Sequence, residues 1–247
     1  VKRTLELFIM RIGITGASGM LGTELVTYLS KSYKVFATSR SKGAEGKNIE
    51  WDCFDLTDIT LLNKWLYKIR PDVVIHCAAT IDQVSRGTTH KNILMFENVV
   101  RAFKGKLIYI SSGAALLGKP PTDPYGLSKW VIEQRIKHLP NVYCLRIWGC
   151  YGPGELPSRF SAKCKRDGHV VIPKDRFFDF VSIKTVRNIV HEYVTSKKKL
   201  VKYSDLVYPK KMLLSEWADF FGATYEIQDT SELGESYVSN RYFTTEI

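Results

Sequence analysis

The sequence predicts an α/β protein: a doubly wound parallel sheet with a small C-terminal lobe. Three observations predict it. Apolar, β-branched runs alternate with helical patterns as far as residue 147. A glycine-spaced turn, Gly16-x-x-Gly19-x-x-Gly22, joins the first apolar run to the first helical pattern. No internal repeat or low-complexity linker interrupts the order. Strands alternating with helices imply parallel pairing and right-handed crossovers.

The elements follow in order. Residues 7–15 are apolar and β-branched enough for a buried strand, and 23–30 continue as a helix. Further strands are expected at 34–38, 73–77, 107–110 and 142–147, and helices at 61–69, 91–103 and 125–138. Asp123 caps the last of these helices and Pro124 suits its first turn. Residues 1–150 therefore read as one nucleotide-binding domain. After Gly152 the pattern turns irregular, with Pro153, Gly154 and Pro157. Residues 151–247 are expected to form a small substrate lobe over the carboxyl ends of the strands, with a segment returning to the main sheet. One late helix is expected at 215–221, with Ser215 as N-cap and Gly222 as stop.

Composition bounds the function. A chain of 247 residues buries one large core and a small lobe, and 45% hydrophobic content is ordinary for a globular protein. No apolar run is long enough to span a bilayer, so no membrane partner is expected. Residues 1–10 lack a signal-peptide pattern, and Met10 is a candidate start preceded by an extension. The five cysteines, Cys53, Cys77, Cys144, Cys150 and Cys164, form no C-x-x-C pair, which points to a reducing cytoplasm. The five histidines are scattered, so no metal is expected. A net charge of +11 raises nucleic-acid binding, but the lysines are spread and the one tight run is 197–199. A basic cleft for a diphosphate-bearing substrate accounts for part of the excess, and no nucleic-acid partner is expected. A homodimer is left open.

Two motifs carry chemistry. A glycine-rich strand–turn–helix is the usual seat of a dinucleotide pyrophosphate, because helix-terminal N–H groups and the helix dipole favour phosphate. Gly16 permits the turn, Gly19 close approach and Gly22 packing of the helix on the sheet, with Ser18, Met20 and Leu21 beside them. In Tyr125-Gly-Leu-Ser-Lys129 a phenol and an ammonium lie one helical turn apart on one face. A free phenol has a pKa of about 10, and a nearby ammonium is expected to bring it closer to neutrality. Together the motifs point to hydride chemistry on an alcohol or ketone. Dinucleotide folds for NAD usually place a carboxylate at the end of the second strand. Residues 37–42 read Ala-Thr-Ser-Arg-Ser-Lys. Arg40 and Ser39 suit a 2′-phosphate instead, so NADP is the expected cofactor and NAD the alternative.

These motifs sit among others at 55–58, 71–79, 92–102, 107–118, 145–154 and 178–190. In that order and spacing the chain resembles the extended short-chain dehydrogenase/reductase superfamily. Within it, the chain is similar to the nucleotide-sugar epimerases, dehydratases and 4-keto-reductases, including the dTDP-4-dehydrorhamnose reductase and GDP-fucose synthase types. The resemblance implies a Rossmann fold, with Asp55 and Leu56 at the adenine and Cys77, Ala78 and Ala79 under the cofactor. It also implies cofactor contacts at Tyr125, Lys129, Trp148 and Cys150, and substrate contacts at Thr80, Gly113, Arg159 and Arg176. Asn92 and Asn98 are read as mainly structural.

Three departures stand out. The family's catalytic Ser or Thr falls at Gly113, so Ser112 is the nearest replacement. Strand alternation turns its side chain to the other face unless a local turn re-aims it. Gly149 stands where an asparagine is usual. Phe178 replaces an arginine and Lys184-Thr185 replace two acids, with Arg176 near enough to take the arginine's place. The expected function is NADP-dependent reduction of a 4-keto-6-deoxy nucleotide-linked sugar. Tyr125 is its proton donor, Lys129 holds the ribose and Ser112 is the third catalytic group. A nucleotide-sugar epimerase or dehydratase with tightly held NAD, or a non-catalytic NADP-binding regulatory subunit, are the alternatives, since fold does not fix function.

Overall fold

The computed structural model describes residues 10–240. The first half runs β1 (Arg11–Thr15), α1 (Met20–Leu29), β2 (Lys34–Ser39), β3 (Ile49–Cys53), α2 (Ile59–Ile69), β4 (Val73–His76), α3 (Gly87–Ala102) and β5 (Lys106–Ser112). A short 3-10 turn (Gly113–Leu116), α4 (Pro124–Ile136) and β6 (Val142–Ile147) follow. The rest is β7 (Gly149–Tyr151), α5 (Phe160–Asp167), β8 (His169–Lys174), β9 (Phe180–Ser182), α6 (Ile183–Thr195), β10 (Tyr203–Leu206), α7 (Leu214–Phe220) and β11 (Thr224–Asp229).

Seven strands form one parallel sheet in the order β3-β2-β1-β4-β5-β6-β10. The order reverses between β1 and β4, which opens a crevice at the strands' carboxyl ends. One sheet face is covered by α1 and α6, through Leu25, Val26 and Leu29 on the first and Val186, Ile189 and Val190 on the second. The other is covered by α2, α3 and α4, through Leu62, Trp65, Phe96, Val99, Ile132 and Ile136. The doubly wound Rossmann-like sheet is thus as expected. A third apolar cluster, around Phe180, Met212 and Trp217, joins α5, α7, β8 and β9 apart from the main sheet. No helix among the described residues is long and apolar enough to cross a membrane.

Several expectations need correction. Residues 7–9 of the expected first strand lie outside the described residues, and the strand begins at Arg11. The chain after Gly152 is not irregular: three helices and four strands follow it. The longest, α6, buries Ile183, Val186, Ile189, Val190, Tyr193 and Val194 at helical spacing, and the Ser182 hydroxyl caps it by accepting the Thr185 N–H at 3.0 Å. Ser215 is not an N-cap. Its hydroxyl donates to Asp175 at 2.5 Å, and the α7 start is held by Glu216, which accepts the Leu213 N–H at 2.8 Å. Gly222 does stop that helix region, with φ +79°.

A buried ionic network ties α4 to the β6–β10 edge of the sheet. Arg146 donates to both carboxylate oxygens of Glu133 at 2.7–3.0 Å and to Asp205 at 3.0 Å. Ser111 donates to Glu133 at 2.6 Å and Ser239 to Asp205 at 2.5 Å.

Candidate active site

The glycine-rich turn is shaped by backbone crowding. Gly16 has φ +67°, and a β-carbon there would lie 2.5 Å from the Ala78 backbone. A β-carbon on Gly22 would lie 2.3 Å from the Gly16 carbonyl oxygen. Neither neighbour is a flexible side-chain end, so the turn is closed to side chains at both positions. Gly19 is the N-cap of α1, no side chain caps the helix, and its first turn carries no acidic residue. The first-turn amides of Met20, Leu21 and Gly22 are therefore available to a phosphate.

Beside the turn lies a cavity of about 480 Å³. Gly16, Ser18, Gly19, Ser39, Arg40, Asp55, Leu56, Cys77, Ala78, Ala79 and Thr80 line it, together with Phe54, Lys91 and Met95, which the sequence reading missed. Asp55 accepts the N–H of Thr57 at 3.0 Å and its hydroxyl at 2.9 Å, which holds the carboxyl below its usual range, with Lys91 at 3.5 Å adding to the effect. Asn98 donates to the carbonyls of Leu56 and Thr57 at 2.9 and 3.1 Å, and Asn92 brackets Thr80 through its N–H and carbonyl. Both asparagines thus hold cavity loops. At the rim, the Ser39 hydroxyl donates to the Ser41 carbonyl, so its proton is not available to a phosphate. Arg40 is exposed and has no ion-pair partner among the described residues. A backbone cradle closed to β-carbons and an apolar wall fit a nicotinamide dinucleotide.

The proton-transfer residues sit one strand along. Ser112 ends β5 in extended geometry, and the 3-10 turn starts at Gly113. Its hydroxyl accepts the Ala114 N–H at 3.2 Å and lies near enough to act on the Tyr125 phenol, whereas Ser111 donates to Glu133. Tyr125 occupies the first turn of α4, where Asp123 caps the helix by accepting the Gly126 N–H at 2.8 Å. Burial pushes the Tyr125 phenol up to about 12, opposed by the nearby Ser112 hydroxyl. This corrects the expectation of a lowered phenol. Lys129 is itself buried, which pushes its amine down to about 8. Its Nζ donates to the Ile110 carbonyl at 2.9 Å and stands 5.6 Å from the Tyr125 ring centroid and 4.7 Å from that of Tyr109. Desolvation dominates both shifts.

The glycine departures have a packing cause. A β-carbon on Gly113 would lie 2.4 Å from the Trp148 indole. One on Gly149 would lie 2.6 Å from Phe180 and 2.8 Å from Phe178. Gly113 therefore leaves no room for substrate: the indole fills that room. Trp148 is outside the lining of the dinucleotide cavity, as are Cys150 on β7, Tyr125 and Lys129. Burial pushes the Cys150 thiol up to about 12. Arg159 is exposed at the start of α5, and its charge acts on the Tyr125 phenol. Arg176 lies over the Phe178 ring, 5.6 Å from its centroid. Tyr237, which the sequence reading missed, packs its ring against Phe178 at 5.0 Å and Trp148 at 6.5 Å, centroid to centroid.

Known proteins resemble the chain in sequence or in fold. A protein of Methanocaldococcus jannaschii, provisionally named a UDP-glucose 4-epimerase, is 29% identical over 176 residues, 58% of this chain and 57% of its own. The chain thus spans little more than half of that relative's length. UDP-glucose 4-epimerase of Thermotoga maritima, solved with UDP-glucose, superposes with TM-score 0.72 at 18% identity, covering 91% of this chain and 88% of that one. dTDP-glucose 4,6-dehydratase of Bacillus anthracis, solved with NAD, superposes with TM-score 0.75 at 16% identity, covering 88% and 84%. At those identities the structures establish the fold alone. The sequence profile of one family matches residues 12–191, from β1 into α6. The chain belongs to the NAD dependent epimerase/dehydratase family.

Proposed function

We propose that the chain is an NADP-dependent oxidoreductase of nucleotide-linked sugars that reduces a 4-keto-6-deoxy sugar. The observation that carries this reading is the half-buried Tyr125 in the first turn of α4, with its phenol pushed up to about 12 and the Ser112 hydroxyl nearby. Such a phenol is protonated near neutrality and is a donor rather than a base. As a ketone is reduced its oxygen gains negative charge, and Tyr125 delivers the proton to that oxygen. Ser112 orients the oxygen and offsets part of the charge. Lys129 stabilises the phenolate left behind. The dinucleotide supplies the hydride when bound in the cradle between Gly16 and Gly22. Arg40 selects the 2′-phosphate, with Lys91 adding positive charge at the same cavity. The lobe built by α5, α7, β8 and β9 holds the substrate, with Arg159 and Arg176 meeting the diphosphate. The unpaired cysteines fit a cytoplasmic setting.

Epimerisation is the second reading, favoured by the names of the Methanocaldococcus relative and the Thermotoga structure. There Tyr125 removes a proton and returns it, with no net change of cofactor. One assay separates the readings: NADPH with a dTDP- or UDP-linked 4-keto-6-deoxy sugar, followed at the nicotinamide band, and UDP-glucose alone, followed for its C4 epimer. Loss of NADPH supports reduction. Epimer formation without net oxidation supports the second reading. Tight NADPH binding with neither outcome supports a regulatory subunit.

A further inference from the structure

Lys129 is buried on α4, and among the described residues it makes no ion pair. The one acid inside that helix, Glu133, accepts from Arg146 and Ser111 instead. An ammonium has three N–H donors. One of them meets the Ile110 carbonyl at 2.9 Å. What else faces the charge is aromatic: Nζ stands over the Tyr109 ring, 4.7 Å from its centroid, and over the Tyr125 ring at 5.6 Å. Both lie within the reach of a cation–π contact, about 6 Å. The other titratable groups around the ammonium are Cys144 on β6 and His76 and Cys77 at the end of β4. Burial keeps both thiols protonated and the imidazole neutral, so none of the three supplies a negative charge.

Tyr109 is held firmly. It sits on β5 with His76 of β4 on one side and Cys144 of β6 on the other. The His76 ring is stacked on it at 5.8 Å and the Phe96 ring of α3 meets it edge to face at 5.1 Å. Its hydroxyl is buried with no hydrogen-bond partner, an arrangement that costs stability. The ring, not the hydroxyl, is therefore the part that meets another functional group. We propose that Tyr109 is a positioning residue: the face of its ring holds the Lys129 ammonium, in its charged form, beside Tyr125. Burial already pushes that amine down to about 8, so the charge at neutral pH depends on what the rings return to it. The inference rests on the reading of Lys129 as the group that stabilises the Tyr125 phenolate.

The test uses the full chain with isotope-labelled lysine. It compares the parent with Tyr109→Phe, Tyr109→Leu and a protein carrying pentafluorophenylalanine at position 109, which keeps the ring but withdraws electrons from its face. The first readout needs neither substrate nor cofactor: the NMR signal of the Lys129 ε-methylene, assigned by its loss in Lys129→Met. Protons over a ring face shift upfield. The signal should therefore lie upfield of the other lysines in the parent and in Tyr109→Phe, and return toward them in Tyr109→Leu. Its titration midpoint should fall by about one pH unit, or about 1.4 kcal/mol, in Tyr109→Leu and in the fluorinated protein, and hold in Tyr109→Phe. The second readout is kinetic, with NADPH and dTDP-4-keto-6-deoxyglucose. At about pH 8 the fluorinated protein should turn over about fivefold more slowly than Tyr109→Phe, and at about pH 6, where both amines are charged, the gap should close. An unshifted Lys129 signal in the parent overturns the proposal. So do equal midpoints in Tyr109→Phe and the fluorinated protein, a comparison that stands even if Tyr109→Leu does not fold. A deficit that persists at about pH 6 with the midpoint in place also overturns it, and marks Tyr109 as merely structural. If the unaltered chain oxidises no NADPH, the reductase reading fails, and the Lys129 signal alone decides the role of Tyr109.

Discussion

Gly113 and Trp148 exclude each other's side chains: a β-carbon on residue 113 would sit 2.4 Å from the indole. Trp148 is buried, so the ring has little room to move. The hydroxyl that the family register puts at 113 cannot be there, and Ser112 faces the phenol instead. Restoring a serine is therefore expected to harm the protein. Gly113→Ser should cost about 1–3 kcal/mol of stability by overpacking, read from urea denaturation, and should lower turnover. Adding Trp148→Ala should recover part of the stability. A Gly113→Ser variant that is fully stable and faster than the parent would refute the packing account.

Tyr125→Phe removes the proton donor and leaves the ring. NADPH affinity and melting temperature should hold, while turnover on the keto sugar drops at least about a hundredfold, the low end for general acid catalysis. Lys129→Met should lower turnover and also weaken cofactor binding. Full activity in Tyr125→Phe would move the site elsewhere.

The proposed preference for NADPH rests on the exposed Arg40 guanidinium, since the Ser39 hydroxyl donates to the Ser41 carbonyl. Arg40→Asp should weaken NADPH binding more than tenfold, a loss of at least about 1.4 kcal/mol, and leave NADH binding little changed. Titration by nicotinamide fluorescence checks this. Equal affinity of the unaltered chain for both cofactors would sink the assignment.

The parts of the site built from local sequence were legible before the structure. The Gly16–Gly22 turn, the Asp123 cap and the Tyr125/Lys129 pair each depend on residues within a turn or two of one another. The unread parts depend on contacts across the chain. Nothing near Gly113 announces that Trp148 fills its space, and nothing near Tyr237 announces its packing against Phe178 and Trp148. The direction of the Tyr125 shift was misread for the same reason, because burial is a tertiary property. By contrast, α6 was readable: its buried residues follow helical spacing behind a serine cap, and the prolines just after Gly152 obscured it.

His76 makes the fold sensitive to acid. It ends β4, buried, with Nδ1 2.7 Å from the Thr15 hydroxyl and its ring stacked on Tyr109. Burial, aided by the charge of Lys129, pushes its pKa from 6.5 down to about 3. Between those values the unfolded chain binds a proton that the folded chain refuses. Stability is therefore full above pH 6.5 and falls as pH drops toward 3, by about 1.4 kcal/mol per unit for this one group. Asp179 acts in the opposite sense, because burial raises its carboxyl pKa and the folded state there binds the extra proton. The histidine is isolated by difference. Urea unfolding from pH 7 to about 5 should slope downward in the parent, and His76→Asn should flatten that slope while keeping a polar partner for Thr15. Parallel curves for the two proteins would mean that His76 is charged in the folded state and that burial does not govern it.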